Sequence, residues 1–180
     1  YGEILMTTTW YDNLDDKIKS HLITDASRTS HYFWHIYSRM NWGEPWYAGF
    51  RESQAEYRFK NQKYFERNLM PGMLGWFLMT EQTTLEDIEW MLAKAAGYNA
   101  GFGFVSSYKA FENNGMADEI LEQINIWETA RLQVLFNYEI KETLKDIAKE
   151  FHLEKTENGN LELYSINSFR KEHTKKEKQP

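Results

Sequence analysis

Residues 73–107, MLGWFLMTEQTTLEDIEWMLAKAAGYNAGFGFVSS, constrain the chain most, because they read as strand, polar loop, amphipathic helix, turn and second strand. Two short apolar runs, MLGWFLM and AGFGFVSS, flank a segment whose Leu85, Ile88, Met91, Leu92 and Ala95 share one face at helical spacing. Thr83 or Thr84 can cap that helix, Glu86 and Asp87 place acid in its first turn, and Gly97 stands where a left-handed C-cap is expected. Strands joined through a helix run parallel, and parallel sheets carry their chemistry on the loops that follow the C-terminal strand ends. The loop so placed is Thr80-Glu81-Gln82-Thr83, which puts a carboxylate at a strand end.

At 180 residues the chain is long enough for one domain with its own core, and no repeat is visible. A formal charge of −6 argues against a general binder of nucleic-acid phosphates. The absence of cysteine excludes disulfides, thiolate metal sites and a cysteine nucleophile, and is compatible with a secreted or periplasmic compartment without fixing one. Apolar runs are of strand length, well short of the ~20 residues of a membrane span, and the first 20 residues lack the pattern of a signal peptide. The start at Tyr1 is consistent with a piece of a longer chain.

Aromatic content is high, with 7 Trp, 11 Tyr and 11 Phe, and many of these rings stand among Arg and Asn between Trp10 and Trp76. Core packing accounts for most rings taken singly. The stretch Trp42-Gly43-Glu44-Pro45-Trp46-Tyr47 differs, since Gly and Pro mark a surface loop. Flat rings beside Asp, Glu, Asn and Arg suit a sugar, whose C–H face stacks while its hydroxyls form hydrogen bonds.

The run Glu3-Ile4-Leu5-Met6-Thr7-Thr8-Thr9 has β-strand texture and leads to Trp10-Tyr11-Asp12-Asn13, a second strand-end cluster. Residues 21–27 form a further candidate strand, with Asp25 and Arg28 at its end. Helices are predicted over residues 32–40, 50–68, 116–136 and 140–149, and Glu157-Asn158-Gly159-Asn160 between alternating runs is a specific hairpin signal. Residues 168–180 are charged and aperiodic, as in a solvated tail. The organisation expected is therefore a β/α portion over residues 1–136, a helix and hairpin over 137–167, and the tail. His31 and His35 stand four apart but lack a third ligand at fixed spacing, so no metal site is assigned. Gly97, Gly101 and Gly103 do not form a dinucleotide cradle, Ser106 and Ser107 lack a nucleophile elbow, and no cofactor is expected.

In its order of strand-end aromatic and acidic residues, its helix TTLEDIEWMLAKAAGYNAG between short strands, its long closing helix and its hairpin, the chain resembles the C-terminal part of a (β/α)8 barrel of the glycoside-hydrolase kind, as found in large bacterial carbohydrate-active proteins. The resemblance spans residues 2–136 and implies an α/β fold with the last three to four β/α units of a TIM barrel, MLGWFLM as seventh strand and AGFGFVSS as eighth. A whole barrel needs about 250 residues and eight strands, so this chain cannot close one alone. Retaining glycosidases use two carboxylates about 5 Å apart. The resemblance implies Glu81 as nucleophile, with Asp12 or Asp25 replacing an acid/base that otherwise belongs to missing strands. Trp10, Tyr11, Asp25, Arg28, Trp42 and Trp46 are the residues expected to contact carbohydrate, with Arg39 an alternative to Arg28. Partners implied are a glycan and either the rest of the parent chain or a second copy. The rival reading is a non-catalytic module whose aromatic surface completes a barrel or packs on another chain.

Overall fold

The structure is a computed structural model that describes residues 1–27, 36–41, 51, 54, 59–68 and 72–167. Among the described residues the chain is mixed α/β, with α1 Gly2–Asp12, α2 Asp16–Lys19, β1 Asp25–Ser27, β2 Arg39–Asn41, α3 Phe59–Arg67, β3 Met73–Leu78, α4 Leu85–Tyr98, β4 Gly101–Val105, α5 Tyr108–Asn113, α6 Ala117–Leu132, α7 Tyr138–Leu144, β5 Glu150–Lys155 and β6 Leu161–Ile166. The strands form three two-stranded sheets: β1–β2 and β3–β4 are parallel, and β5–β6 is antiparallel.

The βαβ unit stands where the periodicity puts it. Thr84 closes a capping box with Asp87, so two first-turn donors are satisfied reciprocally. The helix ends at Asn99, which takes the left-handed conformation at φ 49°, and not at Gly97. Gly97 serves another purpose. A Cβ there would lie 3.0 Å from the Lys141 carbonyl oxygen and 3.1 Å from the Lys145 amide nitrogen, so its bareness lets α7 approach α4.

Every residue of α4 from Ile88 to Gly97 is buried, because β3–β4, α6, α7 and the hairpin surround it. Its core includes Leu74, Phe77, Ile88, Met91, Leu92, Ile120, Trp127, Phe136, Phe151 and Leu153. Phe77 and Phe104, opposite each other in register, stack at 6.4 Å on the core side. Trp76, Leu78 and Val105 have the other parity; the Trp76 ring lies over Gly103, and Leu78 and Val105 are exposed. One face of this small sheet is therefore packed and the other is open.

Three expectations are corrected. The run Glu3-Ile4-Leu5-Met6-Thr7-Thr8-Thr9 lies in helix α1, not in a strand. A helix satisfies its backbone within itself, whereas β propensity takes effect only beside a partner strand. Arg39 and Met40, expected to be helical, lie in β2, where reciprocal bonds between Thr24 and Ser38 hold the preceding residues beside β1. The closing helix α6 stops at Leu132, and Val134 adopts φ 57° while the Leu135 amide reaches back to the Ala130 carbonyl. The hairpin forms as expected, with Gly159 at φ 81° and the Thr156 amide donating to the Asn160 carbonyl at 2.8 Å.

Gly97→Ala is expected to destabilise the chain by about 1–3 kcal/mol, because the added methyl overpacks a backbone-to-backbone contact. Urea unfolding measures it, and an unchanged midpoint would remove the close-approach role.

Candidate functional site

The turn after β3 and the segment after β4 meet at one end of the parallel pair, as parallel topology requires. Glu81 lies in that first turn, as the sequence predicts. Its carboxylate accepts a hydrogen bond from Asn113 Nδ2 at 3.2 Å and faces Lys109 Nζ at 3.7 Å, both on α5. The carboxylate is about half exposed, so the ion pair adds little to stability and leaves an anion open to solvent.

What holds this platform is Asn114. Its buried amide donates to the carbonyls of Thr80 and Thr83, each at 2.9 Å, while its Oδ1 accepts from the Met116 amide at 2.8 Å. The hydroxyl of Thr83 in turn accepts from the Thr80 amide at 2.8 Å. The loop that carries Glu81 is thus braced by a side chain from the segment after the neighbouring strand, and its backbone groups are satisfied without a helix or sheet.

None of the other candidate residues is among the described hydrogen-bond and ion-pair partners of this platform. Trp10, Tyr11 and Asp12 occupy the last turns of α1 and not a strand end. Trp10 is exposed and, with Met6, Thr7, Thr24 and Tyr37, lines a cleft of about 360 Å³; Glu81 is not among its described lining residues. Two rings beside two threonine hydroxyls give that cleft both apolar and hydrogen-bonding surface. The Lys19 ammonium lies 5.6 Å from the Tyr11 ring and donates to the Asp12 carbonyl at 3.1 Å. Asp25 opens β1, with its side chain outside the described part. Arg28, Trp42 and Trp46, like His31 and His35, lie outside the described residues, and of Arg39 only the backbone in β2 is described. No group of three or more His, Cys, Asp or Glu among the described residues is placed to hold a metal ion, and no described helix is long and apolar enough to cross a membrane.

Two buried charges on α4 were not singled out from the sequence. Glu89 is 2% exposed, and its Oε1 accepts from Gln123 Nε2 at 2.5 Å, Trp127 Nε1 at 3.0 Å and the Leu153 amide at 3.1 Å. Its Oε2 meets His152 Nδ1 at 2.9 Å, and a carboxylate that only accepts places the imidazole proton on Nδ1. Lys94 is fully buried between the rings of Trp90 and Phe151, and its ammonium donates to the carbonyls of Asp146 at 2.5 Å and Lys149 at 3.2 Å. Burial holds its pKa down at about 8, against an ordinary 10.5, while Glu150 and Asp146 pull it back upward.

No protein-family model matches the chain, and searches of curated proteins and of solved structures found no match.

The signal for Glu89 and Lys94 was present in the residues around them. WMLA and AAG leave α4 too little polar surface for one face to stay in water, so polar residues between them are buried with their neighbours and need partners. Asn114 carried no such signal, because an Asn-Asn-Gly run reads equally well as a plain turn.

Glu89→Gln is expected to cost about 3 kcal/mol in urea unfolding, since it removes the buried charge and replaces one acceptor oxygen by an NH2 group that can only donate, in a site where Gln123, Trp127 and the Leu153 amide all donate. His152→Ala, at a half-exposed side chain, is expected to cost less; equal losses would show that the histidine and not the carboxylate anchors the hairpin.

The lowered Lys94 pKa means that between pH 8 and 10.5 the unfolded chain binds more protons than the folded one, so its contribution makes stability rise with pH across that window. Denaturation of wild type against Lys94→Met isolates the effect: the wild type is expected to gain on the variant as pH rises, and a constant difference would refute it.

Proposed function

We propose that the chain is the C-terminal portion of a carbohydrate-active β/α barrel, acting on or binding glycans at the loops that follow its parallel strands. The observation that carries this reading is the setting of Glu81: a half-exposed carboxylate in a βα turn, beside α5 of the next β/α unit and braced by Asn114. The open face of β3–β4 agrees with it, because Trp76, Leu78 and Val105 stand where the interior of a closed barrel would be and further strands would cover them.

In this reading Glu81, together with an acid/base from the missing strands, stabilises positive charge at the anomeric carbon and forms the covalent intermediate of a retaining reaction. Lys109 and Asn113 keep the carboxylate oriented. Trp10 and Tyr37 offer stacking surface to sugar rings in the separate cleft beside α1. The non-catalytic alternative draws on the same open sheet face, which a partner chain would cover as well as missing strands would.

Glu81→Gln in the full-length parent is expected to lower turnover by about a thousandfold while leaving the unfolding midpoint nearly unchanged, because an amide keeps the shape and loses the charge. Titration of the chain with plant and bacterial polysaccharide fragments is expected to change tryptophan fluorescence, and Trp10→Ala to weaken binding by about 1 kcal/mol. Full turnover in Glu81→Gln would eliminate the catalytic role. Silence across the glycan panel would leave the module reading.

A further inference from the structure

The hairpin has two edges, treated oppositely. On β5 the outward-pointing backbone groups of Leu153 are taken by side chains: its amide donates to Glu89 Oε1 at 3.1 Å and its carbonyl accepts from Gln123 Nε2 at 2.6 Å. At its centre that edge is closed. The same ladder parity, set by the Thr156 to Asn160 bond, turns the N–H and C=O of Leu161, Leu163 and Ser165 away from β5. No other described element pairs with that edge.

The side chains of Leu161 and Leu163 are half-buried on the inner face and line, with Ile126, Leu135, Phe136 and Ile140, a groove of about 670 Å³ beneath the hairpin. Leu132, Val134, Leu135 and Tyr138, around the turn between α6 and α7, are exposed. An open strand edge over an apolar groove is a template for another strand.

We propose that a second copy of this chain occupies it, with β6 pairing antiparallel to β6 about a two-fold axis at Leu163 to give a four-stranded sheet β5–β6–β6–β5. The register follows from the side chains. Leu163 opposite Leu163 makes a hydrogen-bonded pair, Leu161 and Ser165 of the two copies make the next, and the apolar inner face runs on across the axis. On the outer face Glu162 comes opposite Tyr164, a carboxylate beside a hydroxyl that already donates to Glu162 within its own strand. Sliding by two residues one way sets Glu162 against Glu162, which like-charge repulsion disfavours. Sliding the other way sets Tyr164 against Tyr164 and leaves Glu162 facing Ile166. The self-complementary alignment is the one centred on Leu163.

Light scattering is expected to give twice the 21.5 kDa of the chain at micromolar concentration. Ser165→Pro removes an outward amide that the hairpin itself does not use, so it is expected to shift the population to monomer with the circular dichroism unchanged. Because the sequence has no cysteine, single-cysteine variants report the register: Leu163→Cys is expected to cross-link on oxidation, at the roughly 5.5 Å Cα spacing of such a pair, and Tyr164→Cys is not. A wild-type monomer overturns the proposal, as does a dimer that survives in folded Ser165→Pro. If Ser165→Pro fails to fold, the cysteine pair decides, and cross-linking through Tyr164→Cys in preference to Leu163→Cys overturns it.

Discussion

The Glu89 carboxylate is the constraint on which the rest of the packing depends. A charge removed from water needs donors on all sides, and here α6 supplies Gln123 and Trp127 while β5 supplies the Leu153 amide and His152. Directionality does what apolar contact cannot, since Leu153 against Trp127 would tolerate a slide and four bonds to one carboxylate do not. Lys94, just over a turn further along α4, fixes the segment before β5 by its carbonyls, and Arg51 joins Glu150 at 2.5 Å from the other side. Position of the hairpin is therefore set by polar atoms inside an apolar shell.

The same carboxylate explains an asymmetry of the sheet. Strand edges attract other strands, and a helix side chain that takes up the edge's backbone groups is an effective block. Glu89 and Gln123 do this at Leu153 of β5, and among the described residues no side chain does it for β6.

Much of the fold was legible where local pattern and tertiary packing ask for the same thing. Thr84, Asp87 and the apolar positions of α4 give helix on any accounting, and Asn158-Gly159 gives a hairpin because few other residues accept its turn conformation. Legibility failed where the deciding partner is distant. Met6 to Thr9 read as strand on side-chain shape alone, Arg39 and Met40 read as helix although Thr24 draws the chain into β2, and Gly97 read as a cap because its contact with Lys141 lies outside any local window. The place of Glu81 was accessible because topology alone puts a βα turn at the strand's C-terminal end. Its neighbours Lys109 and Asn113 were not, for they follow from how α5 turns back, and Asn114 gave no hint of spanning two loops.

Helix α1 has eleven residues and none of them is buried. Isolated helices shorter than ~12–15 residues are marginal in water, and this one has three consecutive threonines at its centre and no side-chain N-cap. Its helicity rests on so little that the surroundings decide it. With no buried residue to hold it, the segment from Ile4 to Trp10 is expected to open at a lower free energy than α4, whose residues from Ile88 to Gly97 are all buried.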